Sequence, residues 1–97
     1  MIIKVLAVGD VVANNGLDFL KSNLPALKKD YAIDFCVVNG ENTAVLGITP
    51  GQAETIYDAG ADVITMGNHT FGKRELVPYL DDMPQILRPA NYAPQVP

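Results

Sequence analysis

A chain of 97 residues with 48% hydrophobic and 19% charged side chains has the size and balance of one globular domain or a piece of one. Its net charge of −4, with Lys28-Lys29 and Lys73-Arg74 as the only adjacent basic residues, argues against the clustered basic face of a duplex nucleic-acid binder. No apolar run approaches the ~20 residues of a membrane helix, the N-terminus lacks a signal-peptide layout, and a single cysteine excludes an internal disulfide. The expectation is a cytoplasmic protein that engages neither a membrane nor duplex nucleic acid.

In chain order, strand-like and helix-like segments alternate four times, the pattern of a parallel α/β sheet in βαβαβαβ order. The first strand spans roughly Ile2–Val8 and is apolar nearly throughout, as expected when both faces are covered. Gly9-Asp10 follows it. Asn14 or Asn15 can then cap a helix with Leu17, Leu20, Leu24 and Leu27 at spacings of three and four. Pro25 falls inside that pattern and is expected to kink or divide the helix. Both basic pairs read as solvated helix surface.

The second strand, Ile33–Val38, contains Cys36 in an apolar run, where a free cysteine behaves as a small buried hydrophobe. Asn39-Gly40-Glu41-Asn42 comes next. Thr49-Pro50 marks a helix start, a capping hydroxyl followed by proline at the first helical position, and Gly60 marks its stop after Ala59. A third strand, Val63–Met66, leads into Gly67-Asn68-His69. A helix over roughly Lys73–Leu80, with Leu76, Val77 and Leu80 on one face, precedes a short strand at Gln85–Arg88. Pro89-Ala90-Asn91 is a turn, and Tyr92–Pro97 is a proline-rich tail. Three helices of this length can cover one face of four strands and little more, so the chain reads as part of a larger body.

Three polar clusters therefore follow three consecutive strands. In an open α/β sheet, parallel strands deliver their C-terminal ends to one edge, where ligands bind. Asp10 can ligate a metal or cap the turn that follows it. Glu41 can bridge two cations while Asn42 offers a neutral oxygen, and the same residues also suit a glycine-containing turn with Asx hydrogen bonds. Asn68 can bind a metal through its amide oxygen, and His69 can donate a proton to a leaving alkoxide. Hard oxygen donors with one imidazole suit a divalent metal acting on phosphate.

These residues, in this order, resemble the calcineurin-like metallophosphoesterases, and within them the YmdB-like phosphodiesterases active on 2′,3′-cyclic nucleotides. The resembling stretches are Gly9-Asp10-Val11-Val12, Asn39-Gly40-Glu41-Asn42, Gly47-Ile48-Thr49, Ala61 through His69, and Arg88-Pro89-Ala90-Asn91. The resemblance implies the N-terminal half of a four-layer αββα metallophosphoesterase fold, with residues 1–97 forming part of one domain. It implies two divalent ions, iron or manganese, and a small phosphodiester or cyclic-nucleotide substrate. Asp10 is similar to the terminal ligand of one metal, Glu41 to the bridging carboxylate, and Asn68 to the amide ligand of the other. Asn42 would assist at the first metal or contact the phosphate, and His69 would be the catalytic proton donor.

Two departures stand out. The family usually shows glycine and arginine in the loop after the first Asp, where this chain has Ala13 and Leu17. Family members also contribute three further histidines as metal ligands from later in the fold, whereas this chain has one histidine in all. An incomplete, inactive portion of a metal-dependent phosphodiesterase is the first reading. A non-catalytic α/β module that self-associates through an uncovered sheet face is the alternative, and a homo-oligomer is expected. A dinucleotide-binding domain fits less well, because no Gly-x-Gly-x-x-Gly stands between the first strand and its helix.

Overall fold

The computed structural model describes residues 1–97 and contains four strands and three helices in strict alternation. These are β1 (Val5–Val8), α1 (Ala13–Asp30), β2 (Phe35–Asn39), α2 (Pro50–Ala59), β3 (Val63–Thr65), α3 (Leu76–Asp82) and β4 (Ile86–Leu87). The strands are all parallel and lie in the order β1-β2-β3-β4. Crossovers between parallel strands are right-handed. When every crossover steps to the next strand in the same direction, that handedness puts all three helices on one face.

Burial follows from this arrangement. Cys36, Val38, Ile64 and Ile86, pointing to the helical side, are buried with Leu17, Leu20 and Leu24 of α1, Ala53 and Ile56 of α2, and Leu76 of α3. Burial pushes the Cys36 thiol up in pKa, Asp62 acting in the same sense and Lys28 against it, so the inert hydrophobic role expected for it holds. On the other face Val5 is 59%, Phe35 39% and Leu87 46% exposed. The apolar run of the first strand thus has one covered face, not two.

Several local expectations change. β1 begins at Val5, not Ile2, and α1 begins at Ala13 after Val12, which offers no side-chain cap; neither Asn14 nor Asn15 caps it. Pro25 does not divide the helix, which runs unbroken from Ala13 to Asp30. The proline forgoes one backbone bond, and burial of Leu20 and Leu24 against the sheet holds the helix through it. Leu27, the last residue of the apolar stripe, is 41% exposed. Lys28 is not simply solvated: its Nζ donates to the Gly60 carbonyl at 2.7 Å and so ties α1 to the end of α2. The α2 start forms as read, with a reciprocal capping box between Thr49 and Gln52 and proline in the first turn, and Gly60 closes it at φ +128°. α3 starts at Leu76, three residues later than expected, and β4 shortens to two residues.

Candidate metal and phosphate site at the strand ends

Parallel pairing brings the ends of β1, β2 and β3 to one rim, and the residues just beyond them are stitched together by backbone. Val11 N–H donates to the Asn39 carbonyl and Ala13 N–H to the Asn42 carbonyl, each at 3.3 Å. The Gly40 N–H reaches the Thr65 carbonyl at 3.0 Å. Thr43, fully buried, donates its hydroxyl to the Val11 carbonyl at 3.2 Å. The loops after β1 and β2 are therefore tied to each other.

All five residues singled out in the sequence sit on this rim. Asn42 Nδ2 donates to Asp10 Oδ1 at 3.2 Å, and Asn42 Oδ1 lies 3.1 Å from His69 Nδ1. The His69 backbone N–H donates to Glu41 Oε2 at 3.2 Å, and the same oxygen is 3.9 Å from His69 Nδ1. Asn68 Nδ2 lies 3.4 Å from His69 Nε2. A histidine protonated on Nδ1 satisfies this pattern, donating to Asn42 and accepting from Asn68. Asp10 and Asn68 are exposed, while Glu41, Asn42 and His69 are half-buried.

The backbone is shaped for these contacts. Asp10 adopts φ +52°, a left-handed conformation that aspartate tolerates better than most residues. Ala13 adopts φ +57°, so the loop keeps a conformation suited to glycine although alanine occupies it. Gly67 lets Glu41 lie close to the backbone: a Cβ there would overlap the Glu41 carboxylate and push it aside.

Two supports were not apparent from the sequence. Thr70, fully buried, donates its hydroxyl to the Gly67 carbonyl at 2.5 Å. Tyr92, the first residue of the segment read as a proline-rich tail, donates to the same carbonyl at 2.8 Å.

The donor set suits a hard divalent cation in kind, two carboxylates with carboxamide oxygens beside them. It is incomplete in number, since no three histidine, cysteine, aspartate or glutamate side chains gather closely enough to hold a metal ion. The rim is also open. Glu41, Asn42, Asn68 and His69 line none of the molecule's cavities, and Asp10 only borders an apolar cleft of about 300 Å³ between β1 and α1. No helix is long and apolar enough to cross a membrane.

Comparison with known proteins agrees with this architecture. A family model described as YmdB-like protein matches residues 6–97. The chain is 42% identical over 95 residues to a 2′,3′-cyclic-nucleotide 2′-phosphodiesterase of Bacillus subtilis, covering 97% of this chain and 36% of that protein. A crystal structure of a hypothetical protein from Thermus thermophilus superposes with a TM-score of 0.85 at 33% identity, over 96% of this chain and 36% of the other. Another, described as a novel phosphatase from Mycoplasma pneumoniae, superposes with a TM-score of 0.83 at 32% identity, over 94% and 33%. The chain thus spans about a third of the length of these relatives. With the family match running through β1 to the last residue, and the fold shared, the chain belongs to the YmdB-like family.

Proposed function

We propose that this chain carries part of the centre of a metal-dependent phosphodiesterase domain acting on 2′,3′-cyclic nucleotides or related phosphodiesters. One observation carries the reading: Asp10, Asn42, His69 and Glu41 form a continuous chain of polar contacts across three strand ends. The substrate class is supported by the activity named for the Bacillus subtilis relative.

In this reading Asp10, Glu41 and Asn68 would hold divalent metal, iron or manganese, with Asn42 beside them. Such ions supply charge stabilisation on the phosphoryl group and activation of water. The chain's own residues do the positioning. Asn42 holds the Asp10 carboxylate with its amide N–H and the His69 ring with its oxygen. Glu41 accepts the His69 backbone N–H and sets a carboxylate oxygen 3.9 Å from Nδ1, which fixes where the ring sits. The ring would act as proton donor to a leaving oxygen through Nε2, the nitrogen that lies beside Asn68 on the open side of the rim.

Because the donor set is incomplete, the isolated 97-residue chain should hydrolyse cyclic nucleotides little or not at all, with or without added manganese. A chimera in which this chain replaces the matching stretch of the Bacillus subtilis phosphodiesterase tests the reading. It should be active. Glu41→Gln should impair metal binding, and His69→Ala should keep the metal and slow turnover by ~10²–10⁴. A chimera that binds metal and turns over equally well with both substitutions would overturn it.

The bare sheet face favours a second reading. Val5, Phe35 and Leu87 expose an apolar surface that soluble proteins use for association. In the isolated chain we propose that a second copy covers it, giving a homo-oligomer. Light scattering at micromolar concentration should show a dimer or larger species, and a monodisperse monomer would count against it.

A further inference from the structure

We propose that Tyr92 is a positioning residue of this site, acting through the Gly67 carbonyl to fix the strand-end turn that carries Asn68 and His69. The inference rests on the functional reading above but concerns the geometry of the turn itself.

The Gly67–Gly72 segment makes successive tight turns, Thr70 N–H to the Gly67 carbonyl at 3.1 Å and Gly72 N–H to the His69 carbonyl at 3.0 Å. Its first carbonyl receives two hydroxyls as well, from Thr70 inside the turn and from Tyr92 outside it. Thr70 travels with the turn and cannot anchor it. Tyr92 comes from 25 residues along the chain, beyond β4, and is the side chain that ties this carbonyl to a separate segment.

The ring is held in turn. It lies 6.0 Å from the Phe71 ring, centroid to centroid, at an interplanar angle of 35°, within the range of favourable aromatic contacts. Tyr92 thus grips the turn at two points, the Gly67 carbonyl and the Phe71 ring. On the opposite side, Glu41 occupies the space above Gly67 and accepts the His69 N–H. The turn is clamped between Glu41 and Tyr92, and a shift of Gly67 would displace Asn68 and His69 together.

Tyr92→Phe removes the hydroxyl and keeps the ring. Amide exchange and Mn²⁺-induced line broadening are read by NMR on the 97-residue chain. The variant should melt within a few degrees of the parent, with the core amides of β2 and β3 unchanged. The His69 amide should exchange about fivefold faster, the factor that one net hydrogen bond supplies. Mn²⁺ broadening at Asn68 should need severalfold more metal. A general structural role would instead lower the melting temperature and speed exchange across the sheet. Unchanged His69 exchange in a folded variant overturns the proposal, whatever the metal does. Faster exchange with no Mn²⁺ effect in either protein supports the clamp, and the metal reading then stands or falls with the chimera. Should Tyr92→Phe fail to fold, 3-fluorotyrosine incorporated into the parent chain gives a second test: a more acidic hydroxyl must shift the Gly67 carbonyl resonance, and an unmoved resonance overturns the assignment.

Discussion

Along β2 and β3 the helix-covered face and the strand-end rim lie within a few residues of each other, yet they are built differently. Val38 and Ile64 are fully buried among side chains from all three helices. A few residues on, Glu41, Asn68 and His69 make polar contacts in an open, partly solvated space. The core tolerates no water and gains its free energy from area removed from it. The rim gains little from burial and depends on where each carbonyl, amide and carboxylate points. Stability and site geometry are therefore separable properties here, and substitutions should divide along that line.

The largest expected effect is in the core. Ile64→Ala removes a fully buried side chain at the centre of the sheet, and the cavity left should cost about 2–5 kcal/mol, read as a lower urea midpoint. A variant of unchanged midpoint would break the comparison from the core side. Next comes Gly67→Ala, which pushes the Glu41 carboxylate aside without touching the core. In the chimera it should weaken Mn²⁺ binding by about tenfold or more, because it displaces a carboxylate proposed to hold the metal, while the urea midpoint of the 97-residue chain moves little. A large midpoint loss would show that the rim carries stability after all.

Tyr57 sharpens the comparison from within the packed side, because its buried hydroxyl has no hydrogen-bond partner. Burial, with Tyr79 nearby, pushes its pKa up from 10 to about 12. The folded state holds this proton more tightly than the unfolded one. Its contribution to stability is therefore complete below pH 10 and is lost as pH rises through 12. Urea titrations between pH 8 and 12 should show that decline, and Tyr57→Phe should flatten it. At neutral pH the same variant should be neutral or stabilised by up to ~1 kcal/mol, since an unpartnered hydroxyl is removed. The smallest effect is Ala13→Gly, which relieves a left-handed alanine at φ +57°. The gain should be at most about 1 kcal/mol, because glycine also frees the unfolded chain, and the rim contacts should be unchanged by NMR.

What could be read from the sequence divides the same way. Helix starts and stops with a local chemical cause, Thr49-Pro50 and Gly60, lie where the residues place them. So do the three polar clusters, because parallel strands leave no choice about which edge their ends share. The misread features depend on tertiary context. Pro25 is carried through by packing of neighbouring leucines, and α1 starts without the asparagine cap that the local sequence offers. Tyr92 is illegible for the same reason: nothing local links it to a carbonyl 25 residues earlier. The family resemblance added residue roles that composition and periodicity alone could not supply.

The strand order has a further consequence, for how the sheet is assembled. Each strand pairs with its predecessor in the chain, Val5 with Phe35, Val37 with Val63 and Ile64 with Ile86, separations of 30, 26 and 22 residues. No strand waits for a distant partner, so the entropic cost of closing each loop is moderate and shrinks along the chain. Such a sheet can grow by accretion in the order of synthesis, as nascent domains fold from the N-terminal side. Asp10, Glu41 and His69 would then be brought into register one strand at a time, and the clamp from Tyr92 would close last, once the chain has passed β4.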